Sequence, residues 1–259
     1  MRMFITSSVQ DTIKKSAELA EKLGVGLEIS RLPGSSRIDD DFPAIINDIK
    51  EQTGWFKGSK TLHGLFSDLN PACKDAAIKK IVEKRFQQSF EAAVAAGAES
   101  VVFHSGHKGM KHRVSVNNYL EGSIKFWKEY IKQFEDKGMF ACIENVLEDS
   151  PENLIKIVDE VNSPFLKICL DTGHANLCSQ IPPSEWINIY GNRLHHMHLH
   201  NNFKTNDDHA GLKYGTVNFL SIVDVLKKHN LSPLIVFEIF DKEQLMESIE
   251  VFKLITCGG

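Results

Sequence analysis

The amino-acid sequence predicts a single (β/α)₈ (TIM) barrel spanning residues 1–259. Short β-rich segments alternate with longer amphipathic segments along the whole chain, an alternation typical of βαβ units with a parallel sheet. Eight segments of each kind can be counted, and 259 residues is an ordinary length for one barrel of this class. Closure into a barrel is favoured because an open sheet of eight strands would leave two unpaired edges.

The predicted strands and helices follow one another in strict order. The strands are expected at Met3–Ser8, Gly26–Ser30, Lys60–Leu65, Ser100–Gly106, Met139–Asn145, Leu166–Asp171, Leu194–His200 and Leu234–Ile239. The helices are expected at Asp11–Leu23, Phe42–Gln52, Lys74–Ala96, Tyr119–Lys137, Pro151–Val161, Pro183–Tyr190, Val217–His229 and Asp241–Leu254. Gly24, Gly97 and Gly138 each follow a predicted helix, where glycine most easily adopts the left-handed conformation of a helix C-cap.

Composition and charge exclude several function classes. The hydrophobic fraction of 42% and charged fraction of 25% are those of a folded globular protein rather than a disordered or fibrous one. The net charge of −4 provides no basic field for indiscriminate binding to nucleic acid or to a membrane surface. No segment has the length of apolar residues needed for a membrane span or a secretory signal, so the expected location is the cytoplasm. The sequence carries no indication of an oligomeric state.

The five cysteines indicate neither a disulfide framework nor a thiolate metal site. They are odd in number, and no two have the CxxC spacing. Two of them, Cys142 and Cys169, lie within apolar runs, which is typical of buried free thiols. We therefore predict that all five are free: Cys73, Cys142, Cys169, Cys178 and Cys257.

Six consecutive predicted strands end in an imidazole or a carboxylate. In this class of barrel, chemistry takes place at the carboxyl ends of the strands. The period-two alternation of strand side chains can direct these residues into one mouth of the barrel. A single histidine at a strand end is more often structural than a ligand, so the prediction depends on the convergence of all six. They are His63, His104, Glu144, Asp171, His198 and Glu238.

Convergence of three carboxylates in one mouth predicts a bound divalent metal. Glu144, Asp171 and Glu238 would repel one another and lose hydration unless they were protonated or bound a cation. Imidazole and carboxylate ligands without thiolate favour Zn²⁺, Mn²⁺, Co²⁺ or Mg²⁺. Asp207 and His209 are two residues apart in a polar segment and, with His174, predict a further metal site.

Three other histidines surround His198 in the sequence. His195 is expected to face the helices, and His196 has no assigned role. His200 lies on the same face of the strand as His198 and is the main rival for its role as a ligand.

Four sequence motifs resemble the endonuclease IV and xylose-isomerase-like TIM-barrel superfamily. They are Ile143-Glu144-Asn145, the segment 169–175, Met197-His198-Leu199 and Asp207-Asp208-His209. The resemblance to endonuclease IV implies three zinc ions. The first would be held by His63, His104 and Glu144, the second by Glu144, Asp171, His198 and Glu238, and the third by His174, Asp207 and His209. The resemblance to the sugar isomerases and epimerases implies one ion, Mn²⁺, Co²⁺ or Mg²⁺, held by the second set.

Two functions follow from this resemblance. In the first, which we prefer at this stage, the protein is a zinc-dependent phosphodiesterase cleaving DNA at abasic sites, because only that function uses all nine ligands. In the second, it is a sugar or sugar-phosphate isomerase or epimerase in which Glu144 and Glu238 exchange a proton with the substrate. His174 is expected to be catalytic in either. The DNA-facing segments of endonuclease IV match poorly, and Gly173 stands where those nucleases usually have cysteine.

Overall fold

Eight parallel strands form a closed barrel in the computed structural model, which describes residues 1–32, 37–109 and 111–257. Each strand pairs with the next in sequence, and β8 pairs with β1, which confirms the predicted (β/α)₈ barrel. The strands are β1 (Met3–Thr6), β2 (Gly26–Ile29), β3 (Lys60–His63), β4 (Ser100–His104), β5 (Phe140–Glu144), β6 (Leu166–Asp171), β7 (Leu194–Leu199) and β8 (Leu234–Phe237).

Ten α-helices occupy the described parts of the chain. They are α1 (Ile13–Leu23), α2 (Phe42–Thr53), α3 (Ala76–Ala96), α4 (Arg113–Tyr130), α5 (Lys132–Lys137), α6 (Glu152–Val161), α7 (Thr172–Cys178), α8 (Pro183–Tyr190), α9 (Phe219–Lys228) and α10 (Lys242–Cys257). None of them is long and apolar enough to cross a membrane. Gly24, Gly97 and Gly138 end α1, α3 and α5 with φ of 67°, 67° and 62°, as expected for glycine C-caps.

The sequence prediction differs from the structure at two helices. The helix predicted at Tyr119–Lys137 begins six residues earlier, at Arg113, and is divided at Ile131 into α4 and α5. It begins earlier because Val116 also packs against the core. The second difference is α7, which was not predicted. Its seven residues are too few for a periodic pattern, and it begins because the Asp171 carboxylate accepts a hydrogen bond from the His174 N–H.

The strands alternate between an outer apolar face and an inner face of mixed chemistry. Residues such as Leu27, Ile143 and Met197 belong to the large cluster that packs against the helices. The alternate positions form two small apolar clusters inside the barrel, one made of Phe4, Leu234 and Val236 and the other of Val102, Cys142 and Cys169. The rest of the inner face is polar. Because the outer face already supplies a packed core, the inner face is available for a site.

All five cysteines are free, as predicted. Cys142 and Cys169 are buried inside the barrel, and burial raises the pKa of both thiols. These two residues therefore act as small apolar side chains rather than as thiolates.

Candidate metal centre

Four of the predicted site residues form an inner cluster at the carboxyl ends of the strands. One donor atom from each of Glu144, Asp171, His198 and Glu238 lies within 4.8 Å of the others. His198 Nδ1 is 3.1 Å from Glu238 Oε2 and 3.5 Å from Glu144 Oε1, so the two glutamates meet at the same ring nitrogen. The four side chains are buried, and only Glu238 retains appreciable exposure, at 10%.

His63 and His104 extend this cluster on the side of β3 and β4. Their Nε2 atoms lie 3.4 Å and 3.6 Å from Glu144 Oε2. Their rings meet edge to face with centroids 5.1 Å apart. Glu144 therefore faces imidazoles on both sides, and one of its oxygens is shared by two of them.

Four further residues form an outer cluster above the inner one: His174, His200, Asp207 and His209. The Nε2 atoms of His174 and His209 each lie 3.2 Å from the same oxygen of Asp207. Each ring donates its Nδ1–H to a backbone carbonyl, that of Asn145 for His174 and that of Glu238 for His209, both at 3.0 Å. These two bonds anchor the rings and leave both Nε2 atoms directed at Asp207.

The inner and outer clusters are connected through Asp171. One oxygen of Asp171 caps α7, and the other lies 3.0 Å from His200 Nε2. The backbone of Asp171 is fixed by Asn145, whose side chain both donates to its carbonyl and accepts from its N–H, at 3.0 Å and 2.9 Å. Asn145 thus aligns β5 with β6 at the site, a role that the sequence did not reveal.

Sequence reasoning missed one residue in contact with the inner cluster, Glu28. Glu28 on β2 is fully buried, with its oxygens 3.0 Å from His196 Nε2 and 3.1 Å from His198 Nε2. An acidic residue between Leu27 and Ile29 is the signal that would have revealed it, because a charge within a buried strand needs a partner. His200 is a member of the outer cluster rather than a rival of His198. His195 lies apart from both clusters, stacked on Phe140, as expected.

The histidines balance the charge of the buried carboxylates. Burial alone would raise the pKa of Glu144, but the nearby imidazoles, His104 and His198 foremost, outweigh it and hold that pKa well below its usual range. Burial likewise opposes protonation of His209, yet Asp207 and Glu238 raise the pKa of that ring to about 9. Burial lowers the pKa of His104 to about 4, so this ring is neutral at pH 7 with a lone pair available. A cation entering the clusters would displace protons from the charged rings.

The inner cluster fits a divalent cation. Among the described residues, neither carboxylate oxygen of Glu144 nor Nδ1 of His198 has a hydrogen-bond partner, although these atoms are buried. Unpartnered buried polar atoms are costly, and a ligated ion removes that cost. Oxygen and imidazole nitrogen donors suit Zn²⁺, Mn²⁺, Co²⁺ and Mg²⁺.

In (β/α)₈ barrels, chemistry takes place at the carboxyl ends of the strands. This barrel carries a cluster of carboxylates and imidazoles there, and the fold and the site together define a class of barrel enzymes. Within this class, the chain belongs to the xylose isomerase-like TIM barrel family, whose model matches residues 46–255. This membership agrees with the superfamily predicted from the sequence motifs. The protein is therefore an enzyme of this superfamily.

Several solved structures resemble the chain over almost its whole length. A D-tagatose 3-epimerase-like protein is 25% identical with a TM-score of 0.83, covering 98% of this chain and 97% of its own. The TTHB071 protein from Thermus thermophilus, soaked with ZnCl₂, is 20% identical with a TM-score of 0.79, covering 100% and 98%. A D-psicose 3-epimerase from Clostridium cellulolyticum, solved with D-tagatose, is 16% identical with a TM-score of 0.78, covering 99% of both chains.

The similarity to the 25% identical D-tagatose 3-epimerase-like protein favours the isomerase or epimerase alternative over the endonuclease function preferred from the sequence. The two structures under 25% identity support the fold alone, and the 25% identical one extends the similarity to a sugar epimerase-like protein.

Gly173 provides a test of how the outer cluster is built. A Cβ atom at this position would overlap the ring of His200. Alanine is favoured over glycine within a helix by about 1 kcal/mol. We expect Gly173→Ala to destabilise the wild-type protein by about 1–3 kcal/mol through overpacking. In a His200→Ala background the same change should be neutral or stabilising. Chemical denaturation of the four proteins measures this; equal effects in both backgrounds would show that Gly173 and His200 are not coupled.

Proposed function

We propose that the protein is a divalent-metal-dependent isomerase or epimerase acting on a small sugar or sugar phosphate. The observation that carries the proposal is the inner cluster, in which the carboxylates of Glu144 and Glu238 both approach Nδ1 of His198, at 3.5 Å and 3.1 Å. Two buried carboxylates that flank one cation suit proton transfer at a carbon next to a carbonyl group. The similarity to a D-tagatose 3-epimerase-like protein supports the same class of substrate.

Proton transfer is assigned to the two glutamates. A cation held by Glu144, Asp171, His198 and Glu238 would polarise the carbonyl oxygen of the sugar and the hydroxyl oxygen on the neighbouring carbon. The C–H group of that neighbouring carbon would thereby become more acidic. One glutamate removes the proton from one face of this carbon, and the other returns a proton to the opposite face. The glutamate that removes the proton starts ionised, as the low pKa of these carboxyls among the imidazoles favours, and ends protonated. The glutamate that returns a proton starts protonated and ends ionised.

Histidines outside the inner cluster are assigned to substrate binding and orientation. His174 lies 3.2 Å from Glu144 and is 9% exposed, so a substrate oxygen approaching Glu144 would also meet this ring. His104 is 20% exposed and faces Glu144 from the side of β4. These rings donate to or accept from sugar hydroxyls according to their protonation. They complete a polar pocket around the carbon that reacts.

The sequence favoured the endonuclease because four residues are not needed as ligands when only one ion is bound: His63, His104, Asp207 and His209. The structure gives each of them a partner that needs no additional ion. His63 and His104 contact Glu144, and His209 contacts Asp207, which also contacts His174. Their convergence is thus explained by the charge balance of Glu144 and Asp207.

The outer cluster nevertheless favours a second candidate function, an endonuclease IV-like phosphodiesterase acting on abasic DNA. The observation in its favour is that His174 and His209 both direct Nε2 at Asp207, with Nδ1 anchored on a backbone carbonyl. This arrangement suits a further zinc ion. The number of ions bound to the protein therefore separates the two candidates.

Substitution of the two glutamates tests the proposed function. We expect the protein loaded with Mn²⁺ or Co²⁺ to interconvert ketose epimers or ketose and aldose, measured by chromatography of the sugars. Glu144→Gln and Glu238→Gln should each lower kcat by at least about 100-fold, because each removes a general acid or base. Glu148→Gln, a buried glutamate near the same strand end, is the matched control. Wild-type turnover in Glu238→Gln would contradict the assignment.

Substitution of Asp207 separates the two candidates. With the proposed function, Asp207→Ala should keep the inner ion and retain kcat within about tenfold, with the change mainly in KM. With the endonuclease function, the same variant should lose one bound zinc ion. It would then also lose the stabilisation of the leaving oxygen by that ion, which is typically worth several kcal/mol. Elemental analysis, sugar epimerisation and abasic-duplex cleavage are measured on the same preparations. Cleavage by the wild-type protein that is abolished in Asp207→Ala would favour the endonuclease.

A further inference from the structure

Glu28 contacts His198 of the inner cluster but is not itself a member of that cluster. Its Oε1 atom lies 3.1 Å from His198 Nε2, on the side of the ring opposite Nδ1. Neither atom makes an aligned hydrogen bond among the described residues. Its Oε2 atom accepts a hydrogen bond from the Thr61 hydroxyl at 3.0 Å and lies 3.0 Å from His196 Nε2. Thr61 and His196 thus occupy one oxygen and leave the other for His198.

His198 differs in orientation from the other histidines of the site. His63, His174 and His209 each donate Nδ1–H to a backbone carbonyl and direct Nε2 at a carboxylate of the site. His198 presents Nδ1 to the carboxylates of Glu144, Asp171 and Glu238 instead. Its Nε2 atom faces a carboxylate rather than a carbonyl. The residues next to Nε2 therefore have to account for the reversed orientation of this ring.

We propose that Glu28 is a positioning residue that holds His198 with its proton on Nε2 and its Nδ1 lone pair directed at the cation. A carboxylate beside Nε2 stabilises the proton there and makes Nδ1 the free, more basic nitrogen. Glu28, Thr61, His196 and His198 are fully buried, so water cannot replace this partner. The proposal rests on the proposed function only in assuming that the inner cluster binds a metal.

The affinity of the inner cluster for Zn²⁺ tests this role without a sugar substrate. The parent protein carries Asp207→Ala and His209→Ala, which leaves the outer cluster with only two of its four ligand residues. Competition with a chromophoric chelator at fixed pH gives the Zn²⁺ dissociation constant. We expect Glu28→Gln, which keeps the shape but loses the charge, to weaken binding about 10- to 100-fold. Val102→Ala alters an apolar residue buried inside the same barrel, which has no ligand atom, and should bind Zn²⁺ like the parent. Circular dichroism in the presence of a chelator checks that each variant is folded.

Nitrogen NMR of the parent supplies a second readout that requires no substitution at Glu28. In the Zn²⁺-loaded protein labelled with ¹⁵N-histidine, we expect His198 to show a protonated Nε2 and a metal-bound Nδ1. Zn²⁺ bound to Nε2 of His198 would overturn the proposal, as would parental affinity in folded Glu28→Gln. If the parent binds Zn²⁺ in this way but no sugar is converted, the proposed function fails while the role of Glu28 stands.

Discussion

Burial of carboxylates inside the barrel is the constraint on which the site depends. Glu28, Glu144, Asp171 and Glu238 lie on its inner face with little or no exposure. Ionised carboxylates in such a place require partners. The structure supplies histidines at ion-pair distance from every one of them. The clustering of imidazoles and the shifted pKa values both follow from this one requirement.

Much of the fold and part of the site could be predicted from the sequence. The eight strands were predictable because β-rich segments recur at regular intervals, and their ends revealed Glu144, Asp171 and His198. Helix α7 was not predictable, because a single cap from Asp171 rather than a periodic pattern starts it. Glu28 was not predicted because its neighbours in the strand, Leu27 and Ile29, are apolar. The place of His200 depends on the space left by Gly173, a contact between residues 27 positions apart that no local pattern encodes.

The choice between the two functions shows why ligand counting from sequence is insufficient. Nine residues that match the ligand types of endonuclease IV favoured two or three ions, because only that function uses all of them. In the folded protein the same residues are partners of one another. His63 and His104 share one oxygen of Glu144, and His174 and His209 share one oxygen of Asp207. A histidine near a carboxylate can therefore balance charge, orient substrate or bind metal. The similarity to the D-tagatose 3-epimerase-like protein favours the function that needs the fewest ions.

The central claim is that the inner cluster is a metal centre. Anomalous diffraction from crystals grown with Mn²⁺ or Zn²⁺ tests it most directly, because the map locates each ion without reference to a reaction. The account predicts an ion coordinated by Glu144, Asp171, Glu238 and Nδ1 of His198, at about 2.0–2.3 Å from its ligands. Metal-replete crystals with no anomalous peak between these four side chains would contradict the claim.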